Sequence, residues 1–425
     1  MDTCGIIAEY NPLHRGHQQQ LSDLRNRMGR DAGIVICMSG PFCQQGVPAL
    51  LDKGVRTELA LRAGADLVLE LPQAFATDSA ERFAKGAIAT LLATGVIRSL
   101  AYGTEYPDKA DTIQVLGAFF ADESPEFRSR LKEELQSGLS YPAARSTAAA
   151  HWIDGADILL QSPNTILSVE YEKALKSILK ENVLPTYALP LLNKNKWSSR
   201  NIRALVEQRF DIESGRLLPE NYWTLLNELL PVLPPSSTAA VMREVIEGRG
   251  LVTTLTLSKH TLLSPLLYDI DRLKTIRGMQ GGLAERVFNV LTDTSFDHMI
   301  TSSYEKAPSG LTPAQIIATR VFPTSRVRRA LLSVALNIRS DDIALTQAKP
   351  HYIRVLGFSK RGRRLLSFMR QTSELPVITI ASQFNKLVSD EAKRQAQLDL
   401  YAQALWNNLA GRIDADETER IPIIV

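Results

Sequence analysis

Cysteine is scarce: Cys4, Cys37 and Cys43 are the only three in 425 residues. Three thiols make no framework of paired bridges, and neither their spacing nor nearby histidines fit a zinc site. They are expected to be reduced, small and mostly buried. Histidine is almost as rare, at six. No apolar run reaches the ~18 residues that a bilayer span needs, and "MDTCGIIAEYNP" places no basic stretch ahead of an apolar one. A cytoplasmic protein without a membrane partner is expected. Internal repeats and low-complexity tracts are also absent. Acidic residues are missing from one place in particular. Between Leu311 and Arg370, Asp341 and Asp342 face twelve Lys or Arg, so this stretch carries about +10 and the remainder about −7, against +3 for the whole chain. Such a local excess suits either a polyanionic partner or a well-solvated helical face.

What is present alternates. "TCGIIAEY" is a short apolar run ending at Asn11-Pro12, and "HQQQLSDLRNRM" carries leucines at helical spacing: strand, turn, helix. "AGIVICMSG" and "DLVLELP" read as buried strands, "KGVRTELALRAGA" and "SAERFAKGAIATLLATG" as helices, and "IRSLAYGTE" as a further strand. Alternation of this kind implies an α/β, doubly wound parallel sheet. It is followed by a helical region and a mixed, basic C-terminal region in which "LPVITIAS" reads as a strand. The expected divisions are 1–205, 206–310 and 311–425. In such sheets ligands sit beyond the carboxyl ends of the strands, so the first strand-helix turn is where a ligand is expected.

That turn holds "HRGH", two of the six histidines on either side of Gly16. A helix N-terminus presents unpaired N–H groups and the positive end of its dipole to an anion, and Gly16 allows close backbone approach. Histidines beside it can donate to phosphate oxygens and stabilise a departing pyrophosphate. A structural turn, half of a metal site, or two solvated side chains are the alternatives. A second stretch, "WSSRNIRAL", offers Ser198 and Ser199 as caps and Arg203 one turn in, so that hydroxyls and a guanidinium face a common anion site. The competing reading is a cap without a ligand, with Arg203 paired to Glu207 on its own helix.

"HRGH" followed by "SSRNIR" resembles the HxGH nucleotidyltransferase superfamily, whose second motif, S-S-T-x-x-R, is matched except that Arg200 replaces threonine. "GIIAEYNPLHRGH", "VICMSGPFCQQGVPALLDKGVRTELALRAGADLVLELP", "YGTE", "SYPAARS", "PNTILSVEYEKAL" and "HYIRVLGFSKRG", in that order, resemble the bacterial tRNA(Met) cytidine acetate ligase family across nearly the whole chain. The resemblance implies a nucleotidyltransferase-like Rossmann domain that binds ATP and activates acetate as acetyl-adenylate. The acetyl group then passes to N4 of the wobble cytidine of elongator tRNA(Met), with Mg²⁺ assisting the first step. It implies His14, His17 and Arg203 as catalytic residues. ATP would be surrounded by Ile7, Ala8, Glu9, Tyr10, Asn11, Pro12, Leu13, His14, Arg15, Gly16, His17, Gln18, Gln19 and Gln20, and contacted by Gly103, Asn164, Ser198 and Ser199. For Gly103 a plain strand-ending turn, and for Asn164 an Asx turn after Pro163, are the alternatives. Asp52 and Lys53 in "LLDKG" match a motif of unassigned role, or cap the following helix. For tRNA, the cluster Lys360, Arg361, Arg363 and Arg364 in "SKRGRR" is the candidate surface.

The chain also departs from the pattern. "PTYALPLLNKNKW" lacks an arginine found ahead of the second motif in the family, where Lys194 or Lys196 are the substitutes at hand. "QQGVP" replaces Q-R-G-E-P, and Ser168 replaces a glycine. Two rival readings stand beside the ligase: a nucleotidyltransferase acting on a small-molecule acceptor, and a noncatalytic tRNA-binding relative.

Overall fold

The computed structural model describes residues 2–191, 197–210, 217–249, 251–292, 312–346 and 349–425. Its centre is a sheet of eight strands. The order is β5-β4-β1-β2-β3-β6-β7, with β8 also paired to β6. The strands are β1 (Thr3–Ala8), β2 (Gly33–Ser39), β3 (Leu67–Leu71), β4 (Ser99–Thr104), β5 (Thr186–Pro190), β6 (Ile353–Phe358), β7 (Val377–Ile378) and β8 (Ile423–Ile424). All pairings are parallel except β3 with β6. "GIVICMS" is buried throughout because helices cover both faces of the sheet, and alternate residues feed different cores. Val35 and Cys37 join the core with Leu69, Leu100, Phe75 and Phe83. Ile34, Ile36 and Met38 join the other, with Leu21 and Leu24.

The helices that matter to the site are α1 (Arg15–Met28), α2 (Lys53–Arg62), α3 (Ala80–Leu92), α4 (Pro163–Leu179), α5 (Ser199–Glu207), α6 (Thr324–Ala335), α7 (Lys360–Thr372) and α8 (Asp390–Leu409). Leu225, Leu229, Leu233 and Val241, from the helical region, complete the core on the α1 side. A separate core unites Leu273, Ile276 and Leu283 with Val327, Leu331 and Val334 of α6. All three cysteines are buried and unpaired, as the sequence implies.

The sheet holds more of the C-terminal region than the sequence suggests. β6 extends it antiparallel to β3, Leu69 opposite Val355. "LPVITIAS", expected as a clear strand, contributes only the two residues of β7. β5 is an edge strand that the sequence reading did not foresee.

Candidate active site

Parallel β1 and β2 deliver their carboxyl ends side by side, Ala8 opposite Met38. The turn after β1 is pinned from several directions. Asn11 is buried; its Nδ2 donates to the Pro48 carbonyl at 2.9 Å and to Cys43 Sγ at 3.2 Å, while its Oδ1 accepts from the Leu50 N–H at 2.7 Å. Glu9 Oε1 accepts from the Gln44 N–H at 2.7 Å. Tyr10 takes a left-handed backbone, φ +45°. Beneath them lies Arg56, which the sequence reading passed over. Its fully buried guanidinium donates to four carbonyls, of Leu51 (3.1 Å), Glu9 (2.8 Å), Ser39 (2.9 Å) and Gly40 (2.5 Å). It thereby locks the ends of both strands together.

His14 stands at the N-cap of α1 in extended backbone, and His17 one turn in. Their rings stack, centroids 3.7 Å apart and planes at 17°, and Tyr10 meets His17 edge-on at 5.0 Å. Burial pushes the His14 pKa down to about 4. Burial, reinforced by His14, holds His17 well below its ordinary value. Both rings are neutral at pH 7. The His14 N–H donates to His17 Nδ1 at 3.4 Å, which puts the proton of neutral His17 on Nε2. Tyr10 OH, His14 Nδ1 and Ser39 Oγ are buried and find no hydrogen-bond partner among the described residues. Buried polar atoms are normally satisfied, so three orphans around one turn mark a place built for polar ligand atoms.

Arg203 belongs to this assembly. Its Nη1 donates to the Asn11 carbonyl at 2.8 Å, whereas Glu207 Oε1 accepts from the Thr254 N–H, so the alternative pairing of Arg203 with Glu207 on its own helix is not what forms. Ser198 caps α5, accepting from the Asn201 N–H at 3.1 Å, with Ser199 first in the helix. Gly103, in β4, lies against Gln20 of α1: an ideal Cβ there would lie 2.7 Å from Leu191 Cδ2 and 3.2 Å from Gln20 Nε2. Asn164 donates from Nδ2 to Glu105 Oε1 at 2.9 Å, and Glu105 also accepts from the Thr165 N–H. Ser168 is buried and donates to the Asn164 carbonyl.

Not every residue of the expected set turns inward. Arg15 is spent on the helical region, its N–H and Nη2 donating to the Val232 and Leu230 carbonyls. Gln18 and Gln19 are exposed and line a cavity of about 520 Å³ beside α1, together with Arg15, Ser22, Arg25 and Trp197. Lys194 and Lys196 lie outside the described residues. Asp52 does cap α2, through the Gly54 N–H. Lys53 is buried between Glu70 (2.8 Å) and Glu417 (2.9 Å).

The candidate tRNA cluster sits at the other end of the strands. Ser359 and Arg361, at the start of α7, bond to Asp66, the residue just before β3. Lys360, Arg363 and Arg364 are exposed; Arg361 is half-buried in its ion pair. One strand length, roughly 17 Å for five residues, separates this cluster from the histidine turn.

A parallel α/β sheet with an HxGH turn at its carboxyl edge, facing a capped helix and an arginine, defines a nucleotidyltransferase. Residues 1–420 match the family model described as HIGH Nucleotidyl Transferase. Similar proteins include tRNA(Met) cytidine acetate ligases of Acetivibrio thermocellus (32% identical, 96% of this chain and 94% of the relative) and Clostridium perfringens (30%, 98% and 98%). The crystal structure of Thermotoga maritima TmcAL bound with alpha-thio ATP superposes with a TM-score of 0.85 at 29% identity, covering 100% of both chains. The chain belongs to the tRNA(Met) cytidine acetate ligase family of the HIGH nucleotidyl transferases.

Proposed function

We propose that this protein activates acetate with ATP and passes the acetyl group to N4 of the wobble cytidine of elongator tRNA(Met). The observation that carries the reading is the stacked pair His14 and His17, with His14 buried, clamped to Arg203 through the Asn11 carbonyl. In the first step an acetate oxygen bonds to the α-phosphorus, and the bond from that phosphorus to the bridging oxygen breaks, releasing pyrophosphate. Neutral histidine N–H donors and the Arg203 guanidinium stabilise the charge that grows on the departing oxygens. In the second step N4 attacks the acyl carbon, AMP departs, and the amine proton is lost to the medium. A carboxylate alone is too poor an electrophile for an aromatic amine, which is why AMP is needed.

The ATP contacts proposed are Ile7 to Leu13, His14, Gly16, His17, Gln20, Gly103, Asn164, Ser198 and Ser199. Among the described residues no three His, Cys, Asp or Glu side chains converge on a metal position. Mg²⁺ at phosphoryl centres is commonly held by substrate phosphates and water, and that mode is proposed for it here. Residues 1–205 then serve as the catalytic segment, 206–310 as its helical companion, and 311–425, including Lys360, Arg361, Arg363 and Arg364, as the tRNA-binding segment. No described helix is long and apolar enough to cross a membrane, and the cytoplasm, where tRNA is found, is the proposed compartment.

Incubation of the pure protein with labelled ATP, acetate and bulk tRNA tests the reading. Acetyl-adenylate and acetylcytidine in the digested tRNA are expected. Adenylate without acetylcytidine would favour a small acceptor, and neither product would leave a noncatalytic relative.

A further inference from the structure

α6 brings a further arginine, Arg328, near Arg203 and Arg200 of α5. Its apolar face, Val327, Ala330, Leu331 and Val334, is buried in the helical core. Arg326 donates to the Gln280 carbonyl at 2.7 Å and lies over the Phe322 ring. Arg328 is engaged differently. Its Nε is buried and finds no hydrogen-bond partner among the described residues.

The position of Arg328 follows from a close approach. The turn Cys43–Val47 contains Gly46 at φ +71°, where an ideal Cβ would lie 2.7 Å from the Arg329 nitrogen, 2.9 Å from the Arg328 carbonyl carbon and 3.1 Å from Arg328 Cβ. Only glycine lets α6 come so near. On the other side of the same turn, Cys43 receives the Asn11 amide, and the Asn11 carbonyl receives Arg203. α6, the turn, the histidine loop and α5 are thus one continuous set of contacts.

The charges facing Arg328 are Glu207, Arg203 and Arg200. Burial lowers the pKa of Arg328 below its ordinary value; Glu207 opposes this, and the two arginines add to it. Among the described residues Arg328 therefore faces one carboxylate against two like charges, and that carboxylate already accepts the Thr254 N–H. A half-buried cation with an orphaned donor beside two like charges is arranged for an anion supplied from outside the chain.

We propose that Arg328 binds the β- and γ-phosphates of ATP, closing the nucleotide site from the α6 side opposite α1. The inference rests on the adenylation reading above. Its pyrophosphate portion carries most of the charge of ATP, and the arginines Arg200, Arg203 and Arg328 outnumber the acids where that charge would lie. Arg328 also holds the leaving pyrophosphate as the α-phosphorus bond breaks, so it serves the forward reaction and the binding step together.

The test compares the parent, Arg328→Gln and Arg328→Lys by calorimetry with ATP, AMP and tRNA, with thermal midpoints as a folding control. Because hydrogen bonds to charged groups are the stronger ones, ATP affinity is expected to fall roughly tenfold or more in the glutamine variant. AMP, which lacks both phosphates, should bind as before, and lysine should restore part of the loss. Unchanged ATP affinity in a folded glutamine variant overturns the proposal. So does a fall in tRNA affinity and its salt slope with ATP affinity intact, which would assign Arg328 to an RNA phosphate. A parent that binds no ATP at all would instead overturn the adenylation reading on which the inference stands.

Discussion

His14 and His17 are neutral because they are buried, and that fixes what they can do. As neutral donors they gain interaction energy when negative charge accumulates on the departing phosphates, so His14→Ala or His17→Ala should slow adenylate formation by on the order of 10² to 10³ in rate. A folded variant forming adenylate at the parent rate would sink the assignment. The same burial makes stability depend on pH. Unfolded histidine takes a proton near 6.5, but folded His14 only at about 4. Over that window the unfolded chain binds the extra proton, so His14 costs stability as pH falls from about 6.5 to about 4 and adds no slope above 6.5. His14→Gln should remove this loss, and urea midpoints of the two proteins across pH 4 to 7 measure it. For Arg203, lysine keeps the charge but not the second nitrogen; with Nη1 held by Asn11, only a guanidinium has a further nitrogen placed to reach phosphate at the same time. Calorimetry should find weaker ATP binding in Arg203→Lys, and equal affinity would reduce the arginine to a brace for the loop.

At the scale of elements, legibility followed the range of the contacts. β1, α1, β2, α2 and β3 could be read because each is set by its own apolar period and turn residues. The histidine turn was equally plain, lying in a strand-to-helix connection where ligands collect. β6 could not be read, since Ile353–Phe358 becomes a strand by pairing with Leu67–Glu70, almost three hundred residues away. Arg56 and Arg328 escaped for a related reason. An arginine looks like surface until the fold gathers four carbonyls around one and two like charges around the other. α7 shows a cluster divided by its packing. Gly362 is forced by the Asp66 carbonyl, 1.8 Å from where a Cβ would stand, and this approach draws Arg361 into an ion pair with Asp66. Reversing Lys360, Arg363 and Arg364 should therefore weaken tRNA binding and flatten its salt dependence by roughly one unit of slope per lost phosphate contact. Adenylate formation without tRNA should stay near the parent rate. Filter binding across salt decides it, and unchanged slopes would remove α7 from the tRNA surface. Arg361→Glu should mainly lower the thermal midpoint, because it leaves Asp66 beside a like charge.

Across the whole molecule, the end of the chain is tied to the motif beside the active site. Asp52 holds Arg420 with both carboxylate oxygens, at 2.7 and 3.0 Å, and Lys53 is sealed between Glu70 and Glu417. Arg420 and the Gly54 N–H outweigh burial and hold the Asp52 carboxyl below its ordinary range, while Glu417 and Glu70 likewise keep Lys53 charged. The "LLDKG" stretch therefore anchors the C-terminal segment, and through Leu51 and Arg56 the same stretch touches the loops that hold the histidines. Breaking a buried pair by removing one partner leaves an uncompensated charge, so Lys53→Met should cost about 3–5 kcal/mol, read as a lower urea midpoint. A chemically different group tests the same coupling. Asp399 on α8 accepts from the Gln73 N–H at 2.6 Å and from Tyr352 OH, and burial with Glu70 nearby raises its carboxyl to about 7. Folded Asp399 keeps its proton up to about 7, whereas the unfolded carboxyl releases it near 3.8. The folded state thus binds the extra proton in that window, and stability is lost as pH rises from about 4 to about 7. Asp399→Asn removes the titration while keeping the shape, so the stability of the variant relative to the parent should grow across that interval and level off above pH 7. A difference that stays flat from pH 4 to 8 would mean that Asp399 is ionised throughout and that the neighbouring cation Lys53 neutralises it.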